Sequence, residues 1–104
     1  RNGSAMNSPS LAESTRVSVK LMAGEEASAI AEAARIDNPD AFVEDHGSYL
    51  TISNERRLEL NVATIAEELG RPYDVSTLLV VFVSYTGQVE VSQNGVFITE
   101  ALAD

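Results

Sequence analysis

Polar and apolar positions alternate from Arg16 to Met22, with Val17, Val19 and Leu21 on one side and Ser18 and Lys20 on the other. A period of two marks a half-buried strand, and Gly24 ends it. The period then lengthens. Ala27, Ile30, Ala31 and Ala34 fall at i, i+3, i+4 and i+7, predicting a helix over Glu25–Arg35 with a narrow apolar stripe. Glu25 and Glu26 in its first turn and Arg35 in its last complement the helix dipole. Asn38-Pro39 closes it, because the residue before a proline avoids the α region. Phe42–Glu44 and Tyr49–Ser53 read as short strands around a His46-Gly47 turn. Asn54-Glu55-Arg56 then leads to Leu58-Glu59-Leu60, which is either a further strand or an extension of the last.

From Arg57 to Tyr85, strand, helix, hinge and strand follow with almost no spare residues, and the rest of the chain is expected to pack around that unit. Asn61 is a good N-cap for a helix over Val62–Leu69, with Val62, Ile65, Ala66 and Leu69 on one stripe and Gly70 able to take the left-handed position after it. Thr64 with Glu67 also fits a capping box, which leaves the start open by a turn. Pro72 stops the helix, and Asp74 can cap one further turn, Val75–Leu78. Leu79–Tyr85 is apolar on both faces, the pattern of a central strand. Thr86-Gly87 turns the chain. Gln88–Val91 and Val96–Thr99 flank Gln93-Asn94-Gly95, whose Asn-Gly pair signals a hairpin. The pattern predicts one small α+β domain over residues 16–100, a mainly antiparallel sheet of six to seven short strands with two to three short helices. Residues 1–15 read as a cloning remnant, ending at Ala5, and a mobile Ser- and Pro-containing tail. Residues 101–104 read as a frayed end.

Composition narrows the chemistry. The 104 residues suit a single hydrophobic core. Sixteen acids against seven bases give a net charge of −9, and the only adjacent bases, Arg56-Arg57, stand beside Glu55 and Glu59. Nucleic acid, which demands basic clusters, is therefore not the expected partner; a protein surface is. The longest apolar run, Leu78–Val83, is too short to cross a bilayer. Cysteine is absent, which removes disulfides and thiolate sites and is compatible with a reducing cytoplasm. His46 is the single histidine. It has neither a nucleophile elbow nor the Glu-x-x-His spacing of a di-iron site, since Val43 stands three residues before it. Glu25-Glu26 and Glu67-Glu68 are adjacent pairs that diverge on a helix, and the glycines show no phosphate-cradling spacing. No catalytic residue, cofactor or metal is expected.

Three strings carry a family resemblance: Ile36-Asp37-Asn38-Pro39, Arg57-Leu58-Glu59-Leu60, and Glu68-Leu69-Gly70-Arg71-Pro72-Tyr73-Asp74. In this order, and with the Gly87-Gln88-Val89 turn, they resemble the effector (coupling or regulatory) proteins of soluble bacterial di-iron monooxygenases, in particular those of toluene, phenol and alkene hydroxylases. The similarity runs from about Val17 to Thr99. It implies a cofactorless, cytoplasmic protein that docks on the di-iron hydroxylase component, reshapes its active site, and couples NAD(P)H and O2 use to hydroxylation or epoxidation. A Rieske ferredoxin and a reductase would share that system, and the free chain would be a monomer.

Two short helices cannot cover both faces of a sheet whose central strand is apolar on each side. Either the sheet folds over on itself through the hairpin, or part of one face stays available. For the second case the resemblance selects Ile36, Asp37, Asn38 and Pro39 after the first helix, Tyr73 on the connector, and Ser84, Tyr85, Thr86 and Gly87. Tyr73 and Tyr85 lead, because tyrosine buries a rigid ring while keeping a hydroxyl to bond. The alternative is a small-ligand regulatory domain of the ACT type, also α+β, although the Arg71-Pro72 connector and the closing hairpin fit its repeated strand-helix-strand pattern poorly.

Overall fold

The structure is a computed structural model and describes residues 16–100. In chain order its elements are β1 (Arg16–Met22), α1 (Glu25–Asp37), β2 (Phe42–Asp45), β3 (Tyr49–Glu55), β4 (Arg57–Asn61), α2 (Val62–Leu69), α3 (Val75–Val80), β5 (Phe82–Thr86), β6 (Gln88–Ser92) and β7 (Gly95–Thr99). The strands form two antiparallel sheets, β2-β3-β1-β5 and β4-β7-β6, in place of the single sheet expected. The division falls at Arg56. Its positive φ of 66° ends β3 and swings Arg57–Asn61 into the second sheet as a separate strand.

One face of each sheet is apolar. Val17, Val19 and Leu21 of β1 lie beside Leu50 and Ile52 of β3, with Val19 opposite Ile52 and Leu21 opposite Leu50. Leu58 and Leu60 of β4 lie opposite Ile98 and Val96 of β7 in the second sheet. Helix α1 rests against α2 and β4. Its alanines Ala27, Ala31 and Ala34 are buried with Ile30, and their small side chains favour both the helix and close approach. Ile65 of α2 and Leu78 of α3 complete the core.

Helix α2 starts at Val62, not a turn later, because the Asn61 side chain accepts from the Ala63 N–H at 2.9 Å. Gly70 closes it at φ 74°. Asp74 caps α3, accepting from the Thr77 N–H at 2.9 Å and the Thr77 hydroxyl at 2.8 Å. This cap carries the helix to Val80, so Leu79–Tyr85 is not one strand. Nor is β5 central: it pairs only with β1 and lies at an edge, while β1, between β3 and β5, is the inner strand. An apolar run read without its cap cannot distinguish helix from buried strand. The organising elements are thus β1 and α1 as much as the Arg57–Tyr85 stretch.

The hairpin also differs in mechanism. Ser92 pairs with Gly95, so Gln93 and Asn94 form the two-residue turn, and neither takes a positive φ. Gly95 opens β7 at φ 154°, where a Cβ would lie 2.0 Å from the Leu60 carbonyl oxygen. The hairpin stays within the second sheet. It is the β5–Gly87–β6 passage that folds one sheet towards the other.

Asn38 ties the helix layer to the second sheet. Its Nδ2 donates to the Ala34 carbonyl at 2.9 Å and to the Glu59 carbonyl at 2.8 Å, and its Oδ1 accepts from the Glu59 N–H at 2.9 Å. The carboxamide thereby replaces a neighbouring strand along the outer edge of β4, and the residue is buried. Asn38→Ala removes these partners and leaves the Glu59 amide unsatisfied. It is expected to cost about 3 kcal/mol, read as a lowered urea midpoint; a loss under about 1 kcal/mol would contradict the assignment. The glycines give a second test. Gly95→Ala must displace the β4 backbone, whereas Gly70→Ala meets open space and only the left-handed penalty of about 1 kcal/mol. Gly95→Ala is expected to be clearly the more destabilising, and equal midpoints would refute this.

Candidate docking surface

Strand β5 is aligned on β1 by the Met22 N–H, which donates to the Val81 carbonyl at 2.9 Å. Leu21 faces Phe82 and Lys20 faces Ser84, so Val83 is an extra residue on β5, a bulge that pushes its side chain outward. The bulge sorts the candidates. Ser84 and Thr86 fall opposite Lys20 and Ser18, on the outer face of the sheet, while Tyr85 falls opposite Val19 on the core-facing side. At the sheet edge Tyr85 is still 54% exposed, and Val83 equally so. Gly87 is not a contact surface in itself. A Cβ there would lie 2.6 Å from the Thr99 carbonyl oxygen, so its role is to let the chain cross between the sheets.

The Ile36–Pro39 group is mixed. Ile36 is 59% exposed and Pro39 is exposed. Asp37 is half-buried, with its Oδ2 buried and without a hydrogen-bond partner among the described residues. Asn38, expected at the docking surface, points into the fold and is committed to Ala34 and Glu59. The family resemblance gave the surface expectation; only the edge of β4 reveals the inward use.

Tyr73 is held at the other end of α1. Its hydroxyl donates to Glu26 Oε1 at 3.4 Å, and Arg71 pairs with Glu25 at 3.5 Å. The two bonds clip the connector to the first turn of α1, with the Tyr73 ring packed on the core beside a shallow groove formed with Pro72, Asp74 and Thr77. Burial, reinforced by the Glu26 carboxylate, pushes the phenol up to about 12. The Thr77 N–H and hydroxyl hold the Asp74 carboxyl below its ordinary value. Helix α1 is about 18 Å long from end to end at 1.5 Å per residue, so Tyr73 and Ile36–Pro39 are well separated. β4, beside Asn38, and β6, which follows β5, are opposite edges of the second sheet. Tyr73 and the Ile36–Pro39 group therefore lie at opposite ends of α1, while Arg71 of the connector shares a groove with Met22 and Val81 at the approach to β5.

Sequence reasoning missed the exposed Val80 (73%), Val83 and Met22 (54% each) near β5. A signal was present: residues 75–89 carry no charged side chain in a chain that is 22% charged. Among the described residues no three His, Asp or Glu side chains converge to hold a metal ion, and no helix is long and apolar enough to cross a membrane.

Comparison with known proteins places this geometry. Residues 15–99 match the family model described as the MmoB/DmpM family. The chain belongs to the MmoB/DmpM family. It is 35% identical over 77 residues to the stimulatory component DmpM of phenol 2-monooxygenase from Pseudomonas sp. (strain CF600), covering 74% of this chain and 86% of that one. Its fold matches a chain in the structure of the phenol hydroxylase–regulatory protein complex, with a TM-score of 0.74, 30% identity, and coverage of 81% of this chain and 97% of the other. The regulatory protein B of soluble methane monooxygenase gives a TM-score of 0.65 at 28% identity, over 85% of this chain and 67% of that protein. The ACT-type alternative is not supported: two sheets of order β2-β3-β1-β5 and β4-β7-β6 do not form its repeated strand-helix-strand unit.

The Tyr73 clip yields a pH signature. Folding favours the neutral phenol, so between the ordinary value of 10.0 and the folded value of about 12 the unfolded chain binds fewer protons. Its contribution is whole below pH 10 and is lost as pH rises towards 12. Wild type is expected to lose stability relative to Tyr73→Phe across that window and not below it, in denaturant titrations at stepped pH. Parallel curves for the two proteins would contradict the clip.

Proposed function

We propose that this chain is the non-catalytic effector of a soluble di-iron monooxygenase. It binds the hydroxylase component, reshapes the active site there, and couples NAD(P)H and O2 use to hydroxylation or epoxidation of a hydrocarbon. The observation that carries this reading is the family match over residues 15–99, together with a 30%-identical chain whose structure is that of a phenol hydroxylase–regulatory protein complex. The geometry supports it: an uncharged, half-exposed edge on an acidic chain is an expensive surface to leave in water and suits a protein partner.

The contacts proposed are Tyr85, Ser84 and Thr86 on β5, with the Gly87 backbone beneath them, Ile36, Asp37 and Pro39 at the end of α1, and Tyr73 on the connector. Asn38 acts by holding the α1 end in place. A Rieske ferredoxin and a reductase belong to the same cytoplasmic system and share the hydroxylase surface, and the free effector is a monomer.

Titrating the chain into a reduced hydroxylase assay is expected to change turnover and coupling, while the chain alone turns over nothing. No change at saturation would reject the effector reading. Tyr85→Ala, at a half-exposed edge position, is expected to stay folded and to weaken hydroxylase binding by about 2 kcal/mol, some thirtyfold. A folded variant that stimulates at wild-type concentrations would take Tyr85 out of the interface.

A further inference from the structure

The outer face of the β2-β3-β1-β5 sheet has an unusual composition. Across its middle run Glu44, Thr51, Lys20 and Ser84, aligned strand to strand. The next row is Phe42, Ser53, Ser18 and Thr86. Every one of these side chains is at least partly exposed. In a chain of charge −9 the face is mostly hydroxyl-bearing, with Lys20 on its inner strand.

Lys20 is the chain's one lysine. Each arginine among the described residues already faces a carboxylate: Arg16 with Glu55, Arg35 with Glu32, Arg56 with Glu100, Arg57 with Glu59, and Arg71 with Glu25. Among the described residues Lys20 has no carboxylate within ion-pair distance. Its Nζ sits 4.4 Å from the centre of the Tyr49 ring, which in turn stacks on His46 at 4.5 Å. Glu44, in the same row, is turned to His46 at 3.5 Å. The ammonium is thus positioned over the Tyr49 ring, with a hydroxyl residue opposite it on each neighbouring strand and no ion-paired carboxylate among the described residues.

We infer that the docking surface extends from β5 across this face, and that Lys20 there receives a carboxylate presented by the hydroxylase. The inference rests on the effector reading and goes beyond it, because β5 already contributes Ser84 and Thr86 to this face. Charge complementarity names the occupant's chemistry: an otherwise acidic protein presents one lysine at the centre of a hydroxyl-rich surface, whose carboxylates Glu44 and Glu55 are turned to His46 and Arg16. Short Ser and Thr side chains and a stacked ring lose little rotamer freedom on docking, so the face binds without a large ordering cost.

The test is hydroxylase affinity for Lys20→Gln, Lys20→Arg and Lys20→Glu, each checked for folding, at low and high salt. Lys20→Gln is expected to weaken binding about tenfold at low salt and Lys20→Glu further, with Lys20→Arg close to wild type and the differences shrinking as salt rises. Carbodiimide treatment of the wild-type complex supplies a readout free of any folding defect. It should join Lys20 Nζ to a hydroxylase Asp or Glu as an amide, mapped by mass spectrometry. Wild-type affinity in folded Lys20→Glu, or cross-linked complex in which Lys20 stays unmodified, overturns the inference and leaves the effector reading standing. A wild-type chain that neither binds nor stimulates the hydroxylase overturns both.

Discussion

The Asn38 carboxamide joins the end of α1 to the edge of β4 by three hydrogen bonds. A helix C-terminus leaves carbonyls without partners, and an edge strand leaves a row of unpaired amide groups. One side chain answers both, bonding Ala34 behind it and the two backbone groups of Glu59 beside it. Nearby, the Asn54 side chain donates to the Arg57 carbonyl at 2.8 Å and covers a second exposed group of β4. With that edge closed, the alanine face of α1 is fixed over β4 and α2, and the core between the two layers follows.

The opposite margin is treated differently. β2 carries Glu44 and Asp45, and β6 carries Glu90, which discourage strand addition. β5 has no charge, only the Val83 bulge to interrupt its edge. The contrast gives the domain two unlike sides, one sealed by amides and one left apolar, and the function proposed lies with the second.

Much of this was legible in the sequence, for local reasons. Alternation placed β1, helical spacing placed α1 and α2, and Asn61, Gly70 and Asp74 act at the caps their chemistry suggests. The failures share a cause too. Apolarity alone predicts a buried strand over Leu79–Tyr85, but the run is divided by the end of α3 and much of it is exposed. Asn38 looked like a surface residue because its Glu59 partner is 21 positions away, beyond any local pattern. Tyr73 is a docking candidate for its ring and free hydroxyl, but that hydroxyl donates to Glu26, a contact 47 positions away in the chain.

The chain passes from the first sheet to the second at Arg56 and again at Gly87, each time through one residue. Arg56 takes a left-handed φ, and Gly87 has backbone pressed against it from β7. Neither passage has slack. Insertions that a surface loop would absorb at small entropic cost cannot be absorbed there without shifting a whole sheet. Length variation among relatives of this chain should therefore collect at the exposed His46-Gly47 turn, leaving these two crossings at a single residue.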